Sequence, residues 1–214
     1  MGRFDAVIFD VGGVLVESPV QAVVRLQRQV GISDEVLVAL FQHYSKVPGP
    51  GEPEPPWHRV EKGQLTVADF LVQARIDLTT AGLDQVSVDA DQLNVYRDVS
   101  AHWPTVHVAR RLRAAGYATA ICTNNVREWA GWRLSLPVDE FDVVVDSCEV
   151  GMRKPEPEIF LLTCERLGVA PERTVFCDDF ASNVEGARHA GLEAVHITGD
   201  LAAGLRALAG VLAR

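Results

Sequence analysis

Six side chains in this 214-residue chain have the types needed to move a phosphoryl group. Asp10, Asp178 and Asp179 are acids, Lys154 is an ammonium, and Thr123 and Asn124 offer a hydroxyl and an amide. Carboxylates supply the oxygen ligands that Mg²⁺ prefers, and the metal and Lys154 together offset phosphate charge. A carboxylate can also attack phosphorus itself, dividing one hard displacement into two easier ones. Each residue has an ordinary alternative. An Asp after a strand is commonly a turn residue, an Asp pair can cap a helix, and Lys154 can be solvated. Their weight comes from joint placement.

That placement is read from the apolar runs. Phe4–Phe9, Tyr117–Cys122, Phe141–Val145, Thr174–Cys177 and Glu193–Ile197 are short and apolar, and each ends in polar residues. They predict five buried strands. Helices are predicted over Pro104–Ala114, Glu156–Leu167 and Asn183–Ala190, ending at Gly116, Gly168 and Gly191. Strands alternating with helices imply an α/β fold, a Rossmann-like parallel sheet covered on both faces. Ligands of such sheets bind at the carboxyl ends of the strands, where the polar residues fall.

Between residues 18 and 99 the pattern becomes helical. Gln21–Val30, Ser33–Tyr44, Thr66–Leu78 and Val88–Asp98 read as helices, and 47–57 as a Pro/Gly-rich loop ending in Trp57, His58 and Arg59, which could face a ligand. The expected organisation is a core of 1–17 and 100–214 with a helical cap of 18–99.

Four segments then acquire a joint meaning. Phe9-Asp10-Val11-Gly12-Gly13-Val14-Leu15, Cys122-Thr123-Asn124-Asn125, Gly151-Met152-Arg153-Lys154-Pro155-Glu156-Pro157 and Phe176-Cys177-Asp178-Asp179 resemble the four motifs of the haloacid dehalogenase-like (HAD) hydrolases. The likeness runs from residue 4 to about 200. It is nearest the branch of glucose-1-phosphate phosphatases and of the HAD domains fused to epoxide hydrolases and acyl-CoA dehydrogenases. That branch carries a helical cap after the first motif.

The resemblance implies an Mg²⁺-dependent phosphatase acting on a small phosphorylated substrate, such as a sugar phosphate. Asp10 is then nucleophile and metal ligand, and the carbonyl of Gly12 a second ligand. Thr123 and Asn124 bind the phosphoryl group, and Lys154 steadies both it and the nucleophile. Asp179 is the preferred direct metal ligand, with Asp178 direct or through water. One position departs from the family. Its phosphatases usually carry an acid/base Asp two residues after the nucleophile, where this chain has Gly12. Three readings follow: a substrate with a good leaving group, a substitute acid at Glu17 or His58, or lost turnover in a binding module. A 2-haloacid dehalogenase is the remaining enzymatic alternative, disfavoured because an acidic metal cage is idle without phosphate.

Composition bounds the partners. A net charge of −9 argues against nucleic acid and against an anionic membrane surface. No apolar run reaches membrane-spanning length, and Asp10 interrupts the early apolar stretch, so the expected setting is cytoplasmic. Cys122, Cys148, Cys164 and Cys177 have no metal-ligand spacing and read as core, as do Trp129 and Trp132. The sequence carries no signal for an oligomeric state.

Overall fold

A computed structural model describes residues 2–18, 33–41, 48–49, 51–80, 82–83, 90, 93–97 and 99–214, with positions 21, 23, 24, 27 and 28. Five parallel strands form one sheet: β1 (Ala6–Phe9), β2 (Ala118–Thr123), β3 (Val143–Asp146), β4 (Thr174–Asp178) and β5 (Glu193–His196), in the order β3-β2-β1-β4-β5. In β1 every residue is buried, as expected of a central strand covered on both faces. Ala6 pairs with Ala118 on one side and with Thr174 on the other. The chain runs outward from β1 through β2 to β3, then returns to place β4 on the opposite flank. The carboxyl ends of β1 and β4 therefore flank the point where strand order reverses, the crevice that open parallel sheets offer to ligands.

Side-chain alternation divides the interior into two layers. Val7, Phe9, Ile121, Val175 and Cys177 pack on one face with Val106 and Ala109 of α4 (Trp103–Ala114) and Leu208 of α9 (Leu201–Leu212). Ile8, Ala120, Cys122 and Phe176 pack on the other with Ile159 and Phe160 of α7 (Pro157–Leu167) and Val184 of α8 (Ala181–His189). Phe160 meets Phe176 edge-on at 5.1 Å. Pro lies in the first turn of α4 and α7, where a missing N–H costs nothing, and Gly168 closes α7 with φ 68°. Helix α9 was not among the expected elements. Asp200 caps it, its carboxylate accepting from the Ala203 N–H at 2.9 Å, and Leu201, Leu205, Leu208 and Leu212 recur along it. Trp129 and Trp132 are buried, as are all four cysteines, which are unpaired. Short α5 (Trp132–Ser135) and α6 (Ser147–Val150) lie beside β2 and β3 in the chain.

The described residues of 18–99 contain helices and turns and no strand. They include α1 (Asp34–Phe41), α2 (Pro56–Glu61) and α3 (Val67–Thr80). Thr66 and Asp69 form a reciprocal box at the start of α3: the Asp69 N–H donates to Thr66 Oγ1 at 3.0 Å, and the Thr66 N–H to Asp69 Oδ2 at 3.1 Å. Of the helix expected over Gln21–Val30, positions 21, 23, 24, 27 and 28 are helical and the others lie outside the described residues. The expected Ser33–Tyr44 helix is seen as α1, with 42–47 outside the description.

Two expectations need correction. Within the helix expected at Val88–Asp98, residues 93–97 form turns wherever a state is assigned, the rest lying largely outside the description. Asn94 explains this, because its side-chain oxygen accepts from the Tyr96 N–H at 3.0 Å and competes with helical bonding. The end of the Pro/Gly-rich loop becomes helix α2, opened by Pro56, and Trp57 turns inward. It meets Phe70 at 5.0 Å and Trp129 at 5.4 Å, so it is packing material rather than a ligand face.

The chain leaves and re-enters the core at one place. Val16 bridges Ala101 antiparallel, and the His102 N–H donates to the Leu15 carbonyl at 2.7 Å. Among the described residues no helix is long and apolar enough to cross a membrane.

Candidate active site

Asp10 follows the last residue of β1, and its N–H donates to the Cys177 carbonyl of β4 at 2.9 Å. The sheet thus holds the backbones of Asp10 and Asp178 side by side. Lys154, in the loop before α7, reaches between them: its Nζ lies 2.7 Å from Asp10 Oδ1 and 2.7 Å from Asp178 Oδ2. The lysine is fully buried. Such an ammonium is tolerated only when paired, and here two carboxylates pair it.

The other contacts of these acids divide their roles. Asp178 is the most heavily bonded of the three, since Phe180 N–H and Asn183 Nδ2 also donate to it, at 2.7 and 3.1 Å. Asp10 Oδ1 also accepts from the Val11 N–H at 2.7 Å. Asp179 accepts from the Ser18 hydroxyl through Oδ2 at 2.9 Å, while its Oδ1 is buried with no hydrogen-bond partner among the described residues. One oxygen from each of Asp10, Asp178 and Asp179 lies within 4.8 Å of the others.

This donor set fits a hard divalent cation. Three carboxylates face one ammonium, leaving an excess of negative charge, and a buried oxygen lacks a partner. The titration shifts show the same imbalance. Burial pushes the Asp10 carboxyl well above its ordinary value despite Lys154, with Asp178 and Asp179 adding to the effect. Burial, then Asp178, pushes Asp179 up to about 6. Burial works against the Lys154 ammonium, but Asp10 and Asp178 outweigh it and hold its pKa above normal.

Gly12 and Gly13 occupy the turn after β1, and Gly13 has φ 71°. A Cβ there would lie 2.2 Å from Asp179 Oδ2, so only glycine lets this backbone pass the acid. Thr123 ends β2, buried, with its hydroxyl 3.4 Å from the Asn124 carbonyl. Asn124 is used differently from what its amide suggested. Its Nδ2 donates to the Lys154 carbonyl at 2.9 Å and its Oδ1 accepts from the Lys154 N–H at 2.8 Å, so the side chain brackets the lysine's backbone. Of the suggested substitute acids, His58 is buried in α2 and Glu17 half-buried after the β1 turn.

Two residues escaped the sequence reading. Asn183 orients Asp178, and Ser18 holds Asp179. Asn183 figures in the sequence only as the start of a predicted helix, and nothing in the spacing of Ser18 marks it.

The profile of the haloacid dehalogenase-like hydrolases matches residues 4–191. The chain belongs to that family. Acyl-CoA dehydrogenase family member 10 of Mus musculus is 34% identical over 198 residues, which are 91% of this chain but 18% of the mouse protein. The chain thus spans under a fifth of that relative's length. (S)-2-haloacid dehalogenase 4A of Burkholderia cepacia is 29% identical over 201 residues, 90% of this chain and 82% of that enzyme. A HAD family enzyme of Bacteroides thetaiotaomicron, solved with magnesium and inorganic phosphate, superposes with a TM-score of 0.66 at 22% identity. It matches over 90% of this chain and 93% of that one. That likeness speaks to the fold. The five-stranded parallel sheet with helices on both faces is thus a HAD-type Rossmann-like fold.

Proposed function

We propose that this HAD-like hydrolase is an Mg²⁺-dependent phosphatase of a small phosphorylated metabolite, with sugar phosphates the foremost class, working through an aspartyl-phosphate on Asp10. The observation that carries this reading is the single buried ammonium of Lys154 touching both Asp10 and Asp178, beside the unpartnered oxygen of Asp179.

Asp10 Oδ1 accepts from Lys154 and the Val11 N–H, and the carboxylate so held attacks phosphorus. Its attack forms a bond to phosphorus and breaks the bond to the leaving oxygen. Water then cleaves the acyl phosphate and restores the carboxylate. Lys154, held charged by two acids, steadies the nucleophile and faces the negative phosphoryl oxygens; Thr123 adds its hydroxyl. Asp10, the Gly12 carbonyl, Asp179 and Asp178, direct or through water, would hold Mg²⁺, which when bound offsets phosphoryl charge. Asn124 acts behind the lysine. Four buried, unpaired thiols suit a reducing, cytoplasmic setting.

Gly12 offers no proton. General acid–base help is worth about 10²–10⁴-fold, so the preferred substrates are those whose leaving group needs little protonation, anomeric or acyl phosphates. Purified protein with Mg²⁺ should release nitrophenolate from p-nitrophenyl phosphate. A sugar 1-phosphate should be cleaved faster than its 6-phosphate isomer. Asp10→Asn should lower turnover by about 10⁴-fold or more, as removing a nucleophile does elsewhere. Activity surviving in Asp10→Asn would refute the assignment.

The Burkholderia relative favours a second reading, displacement of halide from a 2-haloacid by the same Asp10. Halide release from 2-chloropropionate, insensitive to EDTA, is its signature. Absence of both activities across metals and pH, with phosphate still bound, would leave a non-catalytic binding module.

A further inference from the structure

Away from Lys154 and its acids, the described residues contain one further ion pair buried on both sides, Arg153 Nε to Glu61 Oε2 at 2.6 Å. Glu61 ends α2, in the helical segment after β1, and Arg153 directly precedes Lys154. The next residue of that segment repeats the grip. Lys62 Nζ lies 2.6 Å from Glu156 Oε1 and 2.7 Å from Glu54 Oε1. Consecutive residues 61 and 62 therefore hold the two ends of the turn 153–156, whose second residue is Lys154.

The core holds the same turn from its other side. Asn124 takes both backbone groups of Lys154, and Gly186 of α8 lies so close to Pro155 that a Cβ there would be 2.5 Å from the Pro155 carbonyl oxygen. Stability alone is a poor reason for the buried pair, because a desolvated salt bridge is commonly matched or bettered by apolar residues of similar volume. What a pair of fixed length and direction supplies is position. Lys154 has two carboxylates to reach, each at 2.7 Å, and a displacement near 1 Å can cost about 10²-fold in rate.

We infer that Glu61 and Arg153 are positioning residues, through which the helical segment 56–62 sets the place of the Lys154 ammonium between Asp10 and Asp178. This rests on the phosphatase reading for its kinetic test. Glu61 touches none of the reacting groups in this scheme; it acts through Arg153 and the turn.

The test compares wild type with Glu61→Gln, with Arg153→Lys, and with the apolar double variant Glu61→Met/Arg153→Met. The double variant removes both charges and leaves neither buried alone. It should melt near the wild-type temperature and keep its KM for p-nitrophenyl phosphate, yet lose about 10–10²-fold in kcat. Arg153→Lys keeps the charge but shortens the reach, so its kcat should fall between the two. Wild-type kcat in a folded double variant would overturn the inference, and so would wild-type kcat in both single variants. If wild type itself hydrolyses nothing, the phosphatase reading fails, and amide hydrogen exchange decides this inference alone. Faster exchange at residues 153–156 in the variants supports it; unchanged exchange there overturns it.

Discussion

Two buried groups of charge lie within a few residues of each other, and they are built on opposite plans. Glu61 and Arg153 are matched one to one in charge. Around Lys154 three carboxylates answer a single ammonium, and one of their oxygens has no partner among the described residues. A balanced pair needs nothing further and can only hold position. An unbalanced cluster holds charge that folding alone does not compensate, and under the proposed function a cation completes it. Burial raises carboxyls on both sides of the contrast, Glu61 above its ordinary value despite Arg153. Asp10 is pushed well above its ordinary value and Asp179 up to about 6, chiefly by burial with neighbouring acids adding to it.

The largest test of the contrast removes the ammonium. Lys154→Met should destabilise the metal-free protein by about 3–5 kcal/mol, as stranding buried charges does, and should abolish turnover. Urea unfolding in EDTA measures the first effect. Glu61→Gln should destabilise with and without Mg²⁺ alike, because its pair involves no ligand. Gly13→Ala strains a backbone at φ 71° and drives a methyl into Asp179, for a cost of about 2 kcal/mol with loss of Mg²⁺ affinity.

Asp179→Asn should do the reverse in EDTA. Removing one excess charge raises stability by about 1 kcal/mol, while the stabilisation that Mg²⁺ gives wild type disappears. If Asp179→Asn destabilised the metal-free protein, the cluster would not be strained by its own charge.

The last effect is in pH. The folded Asp179 titrates near 6 and an unfolded Asp near 4, so between these values the folded state binds more protons. In EDTA this contribution to stability is present below about pH 4 and is lost as pH rises toward 6; Asp10 acts in the same direction. Mg²⁺ needs ionised carboxylates, so its affinity should rise over that interval, with protons released on binding. Calorimetric titration in two buffers of different ionisation enthalpy reads those protons.

The parts of the molecule readable from sequence are those where side-chain type and local pattern agree. All five strands are short apolar runs ending in polar residues, and β1 through β5 lie within a residue or two of the expected bounds. Asp10, Lys154, Asp178 and Asp179 stood out through their joint placement, since each alone has an ordinary reading and only together do they suit one chemistry. What stayed hidden depends on partners remote in the chain. Arg153 beside Lys154 looks like any surface arginine until Glu61, ninety-two positions away, is folded against it. Asn124 suggested a ligand donor because its type permits that, and only the fold shows its amide spent on the Lys154 backbone. Trp57 misled in the same way, since an aromatic at a loop end signals recognition and core packing equally.

The antiparallel bridge between Val16 and Ala101 brings the outgoing and incoming chain to a common threshold. Residues 17–100 thus lie between β1 and β2 in the chain while the two strands pair directly. The described residues there are no loose appendage, since Ser18 holds Asp179, Lys62 holds Glu156 and Trp57 packs on Trp129. Any replacement would have to supply those contacts again, together with an anion to meet Arg153.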